Sequence, residues 1–541
     1  MVLLLFQMNQ EADIIGSTSH LPSEALDYLS ALPTQTDHLF LFSYIIRGMS
    51  SDHPIQVPFI LRGQEVAVKD LLYQSRDGKN QFHYPDPRPL LDRIVLSDPA
   101  QLQRDFASVR VSEIIDFLAE AGKAMTLNHA RMEQACRFSI PFSALPESIV
   151  RGSYDLIPVV FSKLALHTMV ENEIGSKYLD GWVEMPYADK IARRRAYGAR
   201  TLHFISGNVP VVAALSIARA ALIKSDNIIK VTPNDPLTAS AIVGAMMDVD
   251  PNHPVTKHFS VVYWSKELHN FEHDLIQPRY LEKIISWGGA LGGINSTLNH
   301  GNLQASGIDV IALGPKFSIS ILGREAFQTS AEIEQVARLA AKDAGSFNME
   351  SCGSSRFHFV QASPDQAMEY ARRLYDHMQH QDPSLSAMPK NFPANLRDEI
   401  NAARAQDDFY YVVGGDKHEG AVVVSLTGDL PDFFPIHKVV VVIPFDEPLQ
   451  LVDRIHPSTQ TVGIYPESLK KSLRDLLVAR GVCRFISIGH TVDYSIGGPF
   501  NSYEIMRRAC RWILDESYPS KWELPGFYLR KAWQIFKHHI F

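Results

Sequence analysis

The chain has 541 residues, too many for one ordinary core, so two large domains with smaller appendages are expected. Apolar residues make up 45% and charged residues 21%, which excludes a disordered or fibrous chain. The net charge of −8 gives no electrostatic support for a nucleic-acid partner.

The first hundred residues carry little readable chemistry. MVLLLF opens the chain without the basic start or the roughly 7–15-residue apolar core of a signal peptide. LFLFSYII (39–46) reads as a buried strand among turns such as YPDPRP (84–89). From residue 112 the pattern is helical, with VSEIIDFLAEAGKAM and then SIVRGSYDLIPVVFSKLALHTMVENEI. The charged stretch 182–201, with Arg193, Arg194 and Arg195, reads as an exposed hairpin or arm.

At residue 202 strands begin to alternate with helices. LHFIS, IIKV, FSVVYW (259–264) and KIISW (283–287) read as strands, and VVAALSIARAALI as a buried helix. Asp235 is expected to cap a helix whose first residue is Pro236. GGALGG follows the fourth strand but is not the strict dinucleotide fingerprint. The alternation continues with VIAL (310–313), FSISIL (317–322), FYYVV (409–413), AVVVSL (421–426), KVVVVI (438–443), TVGIY (461–465) and CRFISI (483–488). The tail SYEIMRRACRWIL reads as an amphipathic helix. This pattern predicts an α/β protein of mostly parallel sheets with helices on both faces. Such sheets bind ligands at the carboxyl ends of their strands.

The four cysteines, Cys136, Cys352, Cys483 and Cys510, form no C-x-x-C pair and no metal clip. So few in so long a chain suggests a reducing compartment, the cytoplasm. No stretch approaches the ~20 apolar residues of a membrane span. No metal signature, P-loop or nucleophile elbow is present.

Cys352 stands in GSFNMESCGSSRFH (345–358), a run of small and polar residues between a helical pattern and a strand. Ile333, Val336, Ala337, Ala340 and Ala341 recur at helix spacing, and Thr329 with Glu332 reads as a capping box. A thiol on such a loop is well placed to react. The plainer reading is a buried structural cysteine, since free cysteines are among the most buried residue types.

In order, these elements resemble the aldehyde dehydrogenase superfamily, and more narrowly the acyl-CoA reductase family, whose best-known members make the fatty aldehyde of bacterial bioluminescence. SGNVPVVAALSIARAALIKSDNIIKVTPNDPLTA carries the strongest likeness. Asn208-Val209-Pro210 falls on the superfamily's Asn-x-Pro, and Lys230 on its ribose-contacting lysine. SWGGALGG, LGPKFSISILGREAF, FNMESC and TVGIYPES follow in the family's order. The chain also departs from the pattern. Ala312 stands where typical aldehyde dehydrogenases carry a general-base glutamate, and Ala290 where they carry a serine.

The resemblance implies an aldehyde-dehydrogenase-like fold of two parallel-sheet domains. It divides the chain into an N-terminal extension (1–105), a nicotinamide-cofactor-binding domain (106–311), a catalytic domain (312–500) and a helical tail (501–541). It makes Cys352 the nucleophile and Asn208 an oxyanion donor, against the plainer reading of a turn asparagine. Lys230, Thr232, Gly288 and Gly289 become cofactor contacts. A lysine at a strand end is otherwise most simply a snorkelling surface residue. His358 is expected to be a packed histidine rather than a base. The implied reaction is NADPH-dependent reduction of a long-chain fatty acyl thioester to the aldehyde. The acyl donor is fatty acyl-CoA or an acyl-carrier or acyl-protein partner, and the enzyme a homo-oligomer. Two alternatives stay open: an aldehyde dehydrogenase working in the oxidising direction, and a non-catalytic scaffold of an acyl-transfer complex.

Overall fold

The computed structural model describes residues 55–533, apart from 186, 188–189, 289–299, 521 and 530–531. The strand expected at 39–46, Gly289 and Ala290 lie outside the described residues.

Two seven-stranded sheets organise the chain. The first runs, in spatial order, Asp309–Leu313, Lys283–Trp287, Arg200–Phe204, Asp226–Lys230, Phe259–Val262, Phe59–Leu61 and Gln64–Val66. Its first five strands are parallel, and the last two are antiparallel additions at one edge. Part of the region expected to form a separate N-terminal extension is therefore woven into this sheet. The second runs Tyr410–Gly414, Ala421–Ser425, Val439–Pro444, Ser355–Val360, Phe317–Leu322, Thr459–Tyr465 and Arg484–Ser487. Only its Tyr410–Gly414 edge strand is antiparallel.

The runs of β-branched residues explain these central strands. Val440 and Val442 pack on one face of the second sheet, while Val441 and Ile443 pack on the other. A strand covered on both faces reads as a continuous apolar run. Burying each such side chain contributes ~1.5–3 kcal/mol. The helix Val211–Leu222 is buried along most of its length, as its alanine-rich sequence allows.

Two expectations need correction. The helix after the second strand is Thr238–Val249, with Leu237 rather than Asp235 at the N-cap. Residues 232–235 close a tight turn first, with Thr232 bridged to Asp235. Asp235 is buried there and accepts from the Thr238 hydroxyl at 2.5 Å. The tail is not one amphipathic helix either. Ile505–Ala509 is a single helical turn, and Arg511–Ser517 is a strand paired antiparallel with Ile191–Tyr197. With Val183–Met185 these strands form a three-stranded sheet, which is the arm expected near 182–201. Ile505, Met506, Ala509 and Cys510 join the core of the first sheet.

Candidate active site

The helix Ser330–Gly345 buries Ile333, Val336, Ala337, Ala340 and Ala341 on one face. The Thr329 hydroxyl caps it by accepting from the Glu332 amide at 3.2 Å. Beyond Gly345 the backbone enters a strained turn. Phe347, Asn348 and Met349 hold φ of 54°, 48° and 68°. Each such non-glycine residue costs of order 1–3 kcal/mol and persists only when its surroundings fix it.

Those surroundings are specific. The Phe347 amide donates to the Leu385 carbonyl at 2.7 Å, and the Asn348 side-chain carbonyl accepts from the Ala387 amide at 3.0 Å. Three carbonyls around the nucleophile candidate each take a side-chain donor from a different element. Arg356 donates to Met349 at 2.6 Å, Asn208 to Glu350 at 2.8 Å and Ser318 to Cys352 at 2.7 Å. The loop carrying Cys352 is thus fixed from both sheets.

The Cys352 sulfur is partly exposed and lies 3.3 Å from the Tyr494 hydroxyl. It also accepts from Gln460 Nε2 at 3.3 Å. Cys136 and Cys510 are buried, and burial pushes both thiols up to about 12, so neither ionises near neutral pH. His358 lies on the strand after Cys352, buried and 2.8 Å from the Tyr370 hydroxyl through Nδ1. Burial pushes it down to about 3, the behaviour of a packed histidine.

Among the described residues, Asn208, Lys230, Thr232 and Gly288 gather at the carboxyl edge of the first sheet. Lys230 ends its strand in register with Phe204, and Asn208 follows Phe204 by four residues. Ser206 donates to the Asn208 side-chain carbonyl, which aims the Asn208 amide at the Cys352 loop. The Lys230 ammonium sits 5.0 Å from the Trp264 ring centroid and within 6 Å of the Phe204 and Tyr263 rings. Burial lowers it to about 8, against the opposing charge of Glu272. Glu272 is itself held by the Trp264 indole N–H at 2.7 Å.

These residues suit an anionic dinucleotide. Among the described residues Lys230 makes no ion pair with a carboxylate, and the buried Thr232 hydroxyl has no hydrogen-bond partner. Gly288 leaves the Lys283–Trp287 strand at φ +110° with open space where a side chain would stand. Ala312, in register with Ser286, puts no carboxylate at its position.

Gln460 and Tyr494, against the thiol, and Ser318, on the Cys352 carbonyl, are neighbours that the sequence did not mark. Gln460 stands one residue before the expected strand TVGIY, which in the structure starts at Thr459. Tyr494 sits in TVDYSIGGP, where no spacing ties it to Cys352.

A family model described as Acyl-CoA reductase (LuxC) matches residues 106–512. The long-chain acyl-protein thioester reductase of Vibrio harveyi is 25% identical over 478 residues, covering 85% of this chain and 93% of that protein. That of Photorhabdus luminescens is 27% identical over 479 residues, with the same coverage of each. Among solved structures, an NADP-dependent glyceraldehyde-3-phosphate dehydrogenase from Bacillus halodurans superposes with a TM-score of 0.62 at 11% identity, covering 87% of this chain and all of that one. A salicylaldehyde dehydrogenase from Pseudomonas putida superposes at 0.64 with 13% identity, covering 87% and 99%. The fold is that of the aldehyde dehydrogenases.

Proposed function

The chain belongs to the acyl-CoA reductase family, and we propose that it reduces a long-chain fatty acyl thioester to the aldehyde through an acyl-Cys352 intermediate. The observation that carries this reading is the bond from Asn208 to the Glu350 carbonyl. It joins the Cys352 loop to the edge where Lys230, Thr232 and Gly288 lie.

The Cys352 thiolate attacks the acyl carbonyl and expels the carrier thiol. A thiolate suits both halves of the reaction, being a strong nucleophile and a good leaving group. The second N–H of the Asn208 amide and the backbone N–H of Cys352 donate to the developing oxyanion. NADPH, when bound, supplies the hydride that reduces the enzyme-bound thioester. The thiohemiacetal then collapses, releasing aldehyde and restoring the thiolate. Lys230 would pair with an anionic group of the cofactor, and Thr232 and Gly288 would hold its ribose and phosphates; the same role proposed for Gly289 falls outside the described residues. NADPH rather than NADH follows from the family resemblance.

The acyl donor is fatty acyl-CoA or an acyl-protein, the class named for the curated relatives. The residues 106–311 are assigned to cofactor binding and 312–500 to acyl transfer. The protein is read as a cytoplasmic homo-oligomer. No helix among the described residues is long and apolar enough to cross a membrane. The edge strand Arg511–Ser517 leaves Ile513 and Leu514 exposed, which supports a partner copy.

The test is product analysis after incubation with NADPH and a panel of long-chain acyl-CoAs. Fatty aldehyde formed with matching loss of NADPH absorbance supports the reading. Net oxidation of aldehyde to free acid, with no reduction of thioester, favours the dehydrogenase alternative. No turnover in either direction favours the scaffold.

A further inference from the structure

Two side chains touch the Cys352 sulfur, and neither has a part in the reaction as described above. The Gln460 amide is buried and donates to the sulfur at 3.3 Å through Nε2. The Tyr494 hydroxyl lies 3.3 Å from the same sulfur and donates to the Gln460 side-chain carbonyl. Gln460 is held in turn by Asn501, whose side-chain carbonyl accepts from Nε2.

The proton positions follow from these contacts. With its own proton on Gln460, the Tyr494 oxygen faces the sulfur as an acceptor. It can take an S–H bond from the neutral thiol. A thiolate has no proton to offer, and its charge attracts a donor. A hydroxyl turns about its C–O bond without moving the ring.

The fold places Tyr494 with care. The Asp343 carboxylate accepts from the Gly489 and Thr491 amides at 2.7 and 2.8 Å. Asp343 belongs to the same helix that delivers Cys352, so one helix sets both partners. Arg484 donates to the carbonyls of Thr491 and His490 at 2.7 and 3.3 Å, and its guanidinium lies 4.9 Å from the Tyr494 ring centroid. Gly353 clears the space: a Cβ there would come within 2.8 Å of the Tyr494 hydroxyl and of the Thr491 carbonyl.

We propose that Gln460 and Tyr494 clamp the Cys352 sulfur, the Tyr494 hydroxyl turning from Gln460 to the sulfur whenever that sulfur carries negative charge. The sulfur is charged twice in the proposed cycle. It is charged before the carbon–sulfur bond to the acyl group forms, and again when that bond breaks and aldehyde leaves. Between those moments it is a neutral thioester, and the hydroxyl returns to Gln460. No proton leaves the phenol in either step. Burial, reinforced by the nearby Cys352, raises the Tyr494 phenol well above its ordinary value and keeps it a donor.

The clamp rests on the reading of Cys352 as nucleophile, and the experiment separates the two. The pH dependence of Cys352 alkylation by iodoacetamide is measured in the full-length protein for wild type, Tyr494→Phe and Gln460→Met, with the modified site confirmed by mass spectrometry. A hydrogen bond to a charged group is worth enough that losing one should move the alkylation midpoint up by about one pH unit in each variant. In turnover, kcat should fall about tenfold in each while KM for acyl-CoA stays close to wild type. Tyr494→Phe keeps the ring on Phe500 and Arg484, and Gln460→Met keeps the volume, so one variant serves if the other does not fold. An unchanged midpoint, or a lowered one, overturns the clamp. Acylation of a residue other than Cys352 in the wild type overturns the nucleophile reading instead, and leaves the alkylation result to judge the clamp.

Discussion

The side-chain amide of Asn208 donates to the main-chain carbonyl of Glu350 across 2.8 Å, two residues before Cys352. One N–H holds the loop, and the proposed reaction assigns the other to the substrate oxyanion. On that proposal Asn208 acts twice, and its removal should show both effects. Asn208→Ala should lower kcat by about 10²–10³, the usual cost of one oxyanion donor. It should also lower Tm by about 2 °C through the lost loop bond, worth ~0.5–1.5 kcal/mol. Steady-state kinetics and thermal melting check the two arms. A loss confined to KM would leave Asn208 only its structural part.

Cys352→Ala should abolish acyl-enzyme formation and aldehyde production together. Two of the other three thiols are buried and pushed up to about 12, and the third, Cys483, is turned to the Gly481 carbonyl at 3.4 Å. Mass spectrometry after incubation with acyl-CoA decides the matter. A stable adduct on the alanine variant would move the nucleophile elsewhere.

The proposed pairing of Lys230 with the cofactor predicts a pH-dependent cofactor affinity of fixed sign. Burial lowers its ammonium to about 8, and an anionic cofactor group binds the charged form. Binding raises that pKa, so affinity should be flat below about pH 8 and weaken above it, by up to about tenfold per pH unit. Lys230→Met should weaken NADPH binding at neutral pH and flatten the profile. Lys230→Arg should carry binding into the alkaline range. Fluorescence titration measures all three. Acylation of Cys352 without cofactor should be untouched in each, since the thiol and the carbonyl pocket suffice for it.

Ala312 bears on how long the acyl group survives. A methyl group cannot take a proton, so no general base for water stands at that position. The acyl-Cys352 intermediate should accumulate without NADPH and release fatty acid slowly. Ala312→Glu should speed that hydrolysis by about 10²–10⁴, the worth of a positioned base, where the carboxylate fits beside Ser286. Fatty-acid release from the wild type as fast as aldehyde formation contradicts this.

The central strands were legible because their signals are local. Lys283–Trp287 and Phe317–Leu322 fall where the apolar runs place them, since strands covered on both faces need apolar residues throughout. The helix cap at Thr329 was legible for the same reason, both partners lying within one turn, although the reciprocal half of a capping box is replaced by a bond from the Thr329 hydroxyl to the Glu332 carboxylate. Arg511–Ser517 was misread because its arginine and apolar residues also fit a helix, and the pairing that decides against one lies more than three hundred residues earlier. Asp235 was misplaced by two residues because the turn at Thr232 consumes the chain before the helix can start. Gln460 and Tyr494 had no sequence signal at all. They meet at Cys352 only because a strand end and a loop converge on it, and convergence leaves no spacing to read.

The order of synthesis gives the paired strands Ile191–Tyr197 and Arg511–Ser517 a further meaning. At roughly 5–20 residues per second, roughly 15–60 s separate the emergence of the first strand from that of the second. Until the last few residues of that interval the first core lacks Ile505, Met506, Ala509 and Cys510. The buried Glu173, paired with Arg219 at 2.8 Å, also lacks the Met506 amide that will donate to it. The second sheet has all seven of its strands once Ser487 is made. The half that holds the thiol can therefore finish first, while the half that presents Asn208 and Lys230 waits for residues 505–517. A nascent chain stalled after Tyr494 carries Cys352, Asn208, Lys230, Gln460 and Tyr494 and still lacks Asn501 and the segment that closes the first core.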